Sequence, residues 1–483
     1  MSERAAPSDV DVREPERTGL ERTLSVFTEV KGGEGVTALL LTVNIFLLLT
    51  AYYVIKPVRE ALILSMKSGA EYKSYMSGAI AVALLGVVPL YARFARTLPR
   101  NRLVVGVTLF FVSHLVLFRI LSAIPAVEPW LGLLFFLWVG IFNMMVVAQF
   151  WAFANDLYTE EQGKRLFALI GIGASTGAAA GSAVAKLLIE PLGVYQMMLV
   201  AGAILCLCAF LTQVAHVRET GGAGRRDPLS TTAAETPAAK KDDAPPKKEA
   251  PKAEGAYAMV FRYRYLTAMA AYSLLFSLIN TNGEFILSSV VSDAAKEMLA
   301  RGELTDATRK NWIGAWYGDF FLYVNVAGVI LQSFVVSRVV KLGGLGTALF
   351  VFPLLALLDA TVIALMPVIA VARWGKIAEN ASDYSFNNTV RNMLWLPTTR
   401  MMKYVAKQAV DTFFVRMGDV GSTLMVFVFA AQLGLGVRVF AVGNLVLCAA
   451  LVGVCLLILR EEKNIKAMRA RGELPDDPAP AKG

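Results

Sequence analysis

A chain of 483 residues that is 56% hydrophobic and only 18% charged, with apolar runs recurring from end to end, has a membrane composition, which excludes an ordinary soluble domain. Its formal net charge of +9 is spread over short connections and is not gathered on one helix or patch. That distribution excludes a nucleic-acid-binding face and fits membrane orientation.

Read from the N terminus, Met1 to Gly35 is polar and rich in Glu, Arg and Pro, with nothing resembling a cleavable signal peptide, so the first span is expected to be the targeting signal. A spanning helix needs about 20 mostly apolar residues, because its backbone groups find no water in the bilayer core. About twelve stretches meet that requirement. They are 37–55, 74–92, 103–122, 130–153, 166–189 and 195–214, then 265–291, 314–336, 345–366, 368–395, 410–432 and 439–459.

Basic connections fall on one side. Arg93, Arg96, Arg100 and Arg102 follow the second span, Lys164 and Arg165 the fourth, Arg338 and Lys341 the eighth, and Lys403 and Lys407 the tenth. Arg460, Lys463, Lys466, Arg469 and Arg471 follow the last span, whereas Ser122 to Pro129, on the opposite side, has neither Lys nor Arg. Both termini are therefore expected in the cytoplasm of a bacterial inner membrane, which requires an even number of spans. From Arg218 to Ala256 the chain is built of Pro, Ala, Lys, Asp, Glu and Thr and cannot bury a core. The expected organisation is a tail at 1–35, a six-helix half at 36–216, a disordered cytoplasmic linker at 217–258, a second six-helix half at 259–460 and a tail at 461–483.

The halves read as a diverged repeat, an arrangement that places a substrate site near the midplane between them. TEEQGK (Thr159 to Lys164) and TTRMMK (Thr398 to Lys403) follow the fourth span of each half, and Glu60 in VREALIL and Glu284 in NGEFILS each close a first span. An ionisable residue inside a span costs about 3 kcal/mol on insertion scales and marks function by default. Three helices carry stripes at helical spacing: Asn44, Tyr52, Lys56 and Arg59/Glu60; Tyr272, Asn280 and Glu284; and Lys376, Asn380, Asp383, Asn387 and Arg391. Lys56, Arg59, Lys376 and Arg391 are positioned to attract an anion, with Glu60, Asp156, Glu284 and Asp383 holding those cations apart or binding them in the empty site. Asn155, Asn280, Asn380 and Asn387 complete the candidate site. The competing reading is interhelical salt bridges, or span-end residues that reach the headgroups.

Other features read as packing. His114 lies mid-span, where a proton relay competes with a plain packing role. Cys206, Cys208, Cys448 and Cys455 lie in apolar runs without CxxC spacing, so neither metal nor cofactor is expected. GIGASTGAAAG, with Gly171, Gly173, Gly177 and Gly181, has no preceding strand and reads as a close helix contact, not a dinucleotide loop. The chain has no GxxxxGK[ST], HExxH or GxSxG, so it lacks the machinery of an ATP-driven pump or membrane hydrolase and is not expected to be an enzyme.

Several segments carry a resemblance: YYVIKPVREALILS in the first span, FWAFANDLYTEEQGKRLFALIG in the fourth, YGDF at Tyr317 to Phe320, and YSFNNTVRNMLWLP followed by KYVAKQAVD. Over both membrane halves the chain resembles the ATP/ADP translocase (NTP/NDP exchange transporter) family of plastids and intracellular bacteria, which has the major-facilitator fold. The resemblance implies substrate-binding charges at Arg59, Asp156, Glu284 and Arg391. It also shows departures: Arg59 and Arg391 stand where the family has Lys, Asp156 replaces Glu or Gln, Asn392 replaces a Glu, and Asp383 stands at an expected Lys.

The expectation is thus an all-α membrane protein of about twelve helices in two halves, acting as a monomer in the bilayer on a small anionic substrate. The resemblance implies nucleotide exchange by alternating access. A proton-coupled carrier of another organic anion, using Glu284 or Asp383, and a non-transporting scaffold or sensor remain as alternatives.

Overall fold

The computed structural model describes residues 17–221 and 255–474, so most of the expected linker lies outside the described residues. The first six long helices are α1 Gly35–Leu64, α2 Gly69–Thr97, α3 Arg100–Leu121, α4 Glu128–Leu157, α5 Glu160–Leu192 and α6 Val194–Gly221. In the second half α7 is Arg264–Ala300 and α12 is Val437–Ala470. Two short helices, Gly19–Leu24 and Ala256–Arg262, precede α1 and α7.

Among the described residues, ten helices are long and apolar enough to cross a membrane. One of these, Asp306–Leu365, has 60 residues. At 1.5 Å per residue it would extend about 90 Å, three bilayer cores, so it cannot cross only once. It reverses at Gly344, whose φ of 69° and ψ of −173° fall where only glycine sits without strain, giving α8 (306–343) and α9 (345–365). The segment 369–393, α10, is of membrane length but carries Arg373, Lys376, Glu379, Asp383 and Arg391, which place it outside the apolar set. With α11, Arg400–Gln432, the described residues form twelve membrane-length helices and no strand.

Contacts at the helix ends fix two faces. At the proximal face α1 begins beside the start of α5 and the end of α6: Arg165 donates to Glu34 at 3.0 Å and Thr37 to Glu219 at 2.5 Å. At the distal face α1 ends against the start of α8, where Arg309 donates to the Ser65 carbonyl at 2.7 Å. α5 and α1 pack along α8, and α2 packs along α7 and α11, so these helices join the halves. Gly318 of α8 lies where an added Cβ would stand 2.8 Å from the Lys186 backbone of α5.

The glycine-rich run serves this packing. A Cβ at Gly173 would stand 2.6 Å from the Thr42 carbonyl, and at Gly177 and Gly181 it would collide with the carbonyls of Phe46 and Thr50. The four-residue spacing therefore lets α5 lie directly on the backbone of α1. Gly177→Ala should destabilise the protein by about 1–3 kcal/mol, as overpacking does. Gly171→Ala is the control, because nothing lies within 4 Å of that position. Equal unfolding midpoints for the two variants in detergent would refute this account of the run.

Candidate functional site

At one depth, four helices contribute ionisable side chains to a buried layer. Glu60 of α1 is fully buried, and its Oε1 accepts both Nε and Nη2 of Arg59. Its Oε2 lies 2.9 Å from Lys73 Nζ of α2. Lys73 in turn meets Glu284 Oε2 of α7 at 3.1 Å and donates to Ser288 Oγ at 2.9 Å. Glu284 Oε1 accepts from Asn380 Nδ2 at 3.3 Å and lies 4.0 Å from Lys376 Nζ, both of α10. Lys376, 1% exposed, also donates to Asn280 Oδ1 at 2.9 Å, the Asn280 carbonyl at 3.3 Å and Glu379 Oε1 at 2.7 Å. The result is a chain of alternating charge, Arg59, Glu60, Lys73, Glu284, Lys376, Glu379, that crosses from one half to the other.

Glu60 and Glu284, which stand at corresponding places in the two halves, thus share one ammonium ion. Glu60 stands four residues before the end of α1, near the expected span boundary, yet it is fully buried. α1 continues to Leu64, and burial of Glu60 is tolerable because two cations neutralise it. Glu284 lies well inside α7, which runs on to Ala300.

Lys56 differs from its neighbours. Among the described residues no carboxylate comes within 4.0 Å of its ammonium group. It lies 3.9 Å from the Phe321 ring centroid of α8 and 5.2 Å from that of Tyr53. Its half-buried position next to the paired layer leaves its charge for an added group.

The rest of the α10 stripe runs toward the proximal face. Asp383 and Asn387 bound a π-helical turn, the form in which functional irregularities often occur in helices. Asn387 donates to Asp383 at 2.7 Å and accepts from Tyr272 OH at 2.7 Å. Arg391 pairs with Asp411 of α11 at 3.2 Å and lies 5.7 Å from the Phe276 ring. Fifteen residues separate Lys376 from Arg391, a helical rise of about 22 Å. A charge-assisted hydrogen bond spans about 2.8 Å, so Arg59 and Arg391 cannot hold one phosphate group between them in this conformation. Asn155 and Asp156 are exposed at the proximal end of α4, apart from the buried layer.

Asn44, on the α1 stripe, faces away from the layer and donates to Thr212 of α6 at 2.8 Å. His114 bonds to the Phe110 carbonyl of its own helix at 2.8 Å. Three groups of the layer were not among the candidates: Lys73, Glu379 and Tyr317, whose ring centroid lies 5.5 Å from Lys73 Nζ. Lys73 lies just before the apolar run 74–92 and has the sequence signature of a boundary lysine. Its partner in the other half is visible only once the helices are assembled.

The chain is an integral membrane protein with a major-facilitator-like fold. It is similar in structure to the nucleoside transporter NupG, with a TM-score of 0.59 over 88% of this chain and 99% of that one, at 10% identity. A POT family transporter in complex with 5-aminolevulinic acid gives a TM-score of 0.57 over 88% and 96%, at 12% identity. No family model matches the chain. In sequence it is 24% identical over 313 residues to ADP,ATP carrier protein 1 of Chlamydia trachomatis serovar D and of Chlamydia muridarum, covering 59% of this chain and 55% of each relative. The chain thus spans about half the length of those relatives.

Proposed function

We propose that this protein is a membrane transporter of organic anions that exchanges nucleotides of the ATP/ADP type by alternating access. The observation that carries the reading is Lys56, a cation without a carboxylate partner beside a charge layer shared by both halves. An anion reaching Lys56 meets Arg59 one turn along α1, a guanidinium already neutralised by Glu60 and able to open toward phosphate. The nucleotide component rests on the relatives named ADP,ATP carrier protein 1 and on the motifs of the first, fourth and tenth spans.

For access to alternate, the distal contacts between the halves must part: Lys310 with Glu128, Arg309 with the Ser65 carbonyl, Asn311 with the Val194 amide and Thr423 with the Ser74 carbonyl. In the orientation we propose, the proximal face is cytoplasmic and the distal face periplasmic, in a bacterial inner membrane. Cysteine labelling tests this topology: Ser230→Cys should react only from the cytoplasmic side, and labelling from outside would reverse it.

The function itself is tested by binding. ATP and ADP should raise the unfolding midpoint of the purified protein, whereas adenosine, which lacks the phosphates, should leave it unchanged. An equal shift with adenosine would contradict recognition through anionic groups.

A further inference from the structure

The alternating chain from Arg59 to Glu379 is balanced, with three cations and three carboxylates, and it leaves one unpaired charge-bearing group at each end. Lys56 is the unpaired cation on the side of α1 and α8. At the other end is Asp359 of α9. Its Oδ1 is buried with no hydrogen-bond partner, and the carboxyl lies against the backbone of Gly375, where any larger residue on α10 would displace it.

α9 packs against α10 and α12, and the titratable groups facing Asp359 from them are Glu379 and Lys376 of α10 and Cys448 of α12. Glu284 of α7 and Asp383 of α10 lie one step further, around Glu379. Lys376 is the cation of this group, and its ammonium is already occupied by Glu379, Asn280 and Glu284. Asp359 therefore has no counter-ion of its own, and an ionised carboxylate without one is costly in a dry interior.

We propose that Asp359 is a proton-binding site whose loading is coupled to anion binding at Lys56. The proposal rests on the anion-site reading given above. With every group ionised, Lys56, Arg59, Lys73 and Lys376 balance Glu60, Glu284, Glu379 and Asp359. An anion arriving at Lys56 adds negative charge to that set. A proton passing from hydronium to an Asp359 carboxylate oxygen, leaving water behind, offsets one unit of it, and release of the anion returns the proton. The proton thus accompanies the anion and lowers by one unit the net negative charge carried with it.

The test uses the full chain in detergent with a pH-indicating dye in weak buffer, and ATP and pyrophosphate as probes. On binding either probe the parent should take up about one proton per anion, as linkage requires. Asp359→Asn, neutral like the protonated parent, should bind the probes at least as tightly as the parent and take up none, and Asp359→Glu should restore uptake. Anion binding by the parent without proton uptake, or undiminished uptake by Asp359→Asn, overturns the proposal. If neither probe binds, the anion-site reading fails separately, and infrared titration of the protein alone decides the proton site. A protonated-carboxyl band that Asp359→Asn removes supports it; a spectrum unchanged by the substitution overturns it.

Discussion

Replacing Lys56 with Gln should lower affinity for ATP and ADP by roughly tenfold to a hundredfold, because a charge-assisted hydrogen bond to phosphate contributes about 1.5 to 3 kcal/mol. The effect follows from what surrounds the ammonium group. Arg59, Lys73 and Lys376 each hold a carboxylate, so a substrate must displace that partner before using their full charge. Among the described residues the groups that Lys56 Nζ touches are the rings of Phe321 and Tyr53, whose faces leave the ammonium's charge available to a phosphate. Lys56→Arg should retain part of the affinity, since the charge remains while its geometry changes. Titration calorimetry measures both variants. Parent-like affinity for Lys56→Gln, together with a large loss for Arg59→Gln, would move the principal contact to Arg59.

The second large effect is on stability. Lys73→Met removes the ammonium shared by Glu60 and Glu284, leaving the fully buried Glu60 of α1 with Arg59 as its remaining cation and weakening the joint between the halves. Breaking a buried pair by removing one partner costs about 3–5 kcal/mol. The double variant Lys73→Met/Glu60→Gln should be less destabilised than additivity of the single changes predicts, because either single change already breaks the Lys73–Glu60 pair. Thermal unfolding of the four proteins completes the cycle, and strict additivity would mean that the two groups do not sense each other.

The helical fold was readable because a bilayer demands long apolar runs, and all twelve predicted stretches coincide with helices of membrane length. Helix ends were less readable. α1 extends beyond residue 55 through Lys56, Arg59 and Glu60, because polar residues paired across helices need not end a span. The α10 stripe was visible from its spacing, and Lys376, Asn380, Asp383 and Asn387 all take part in polar contacts between or along helices. Glu60 and Glu284 were both singled out by their spacing, but the lysine that joins them was not. Periodicity reports which residues share a face of one helix, and it carries no information about what the facing helix offers. The same limit explains Asp359, a lone carboxyl in an apolar run whose surroundings on α10 and α12 appear only in three dimensions. It also explains Arg391, which shares a stripe with Lys376 while lying about 22 Å away along the helix.

The most direct measurement is counter-flow in proteoliposomes that contain the purified protein, are preloaded with ADP and are given labelled ATP outside. Uptake should require the internal nucleotide, saturate with external ATP, and fall at least tenfold in Lys56→Gln while that variant remains folded and inserted. Absence of counter-flow with the parent, or equal counter-flow in the parent and Lys56→Gln, would contradict nucleotide exchange at this layer.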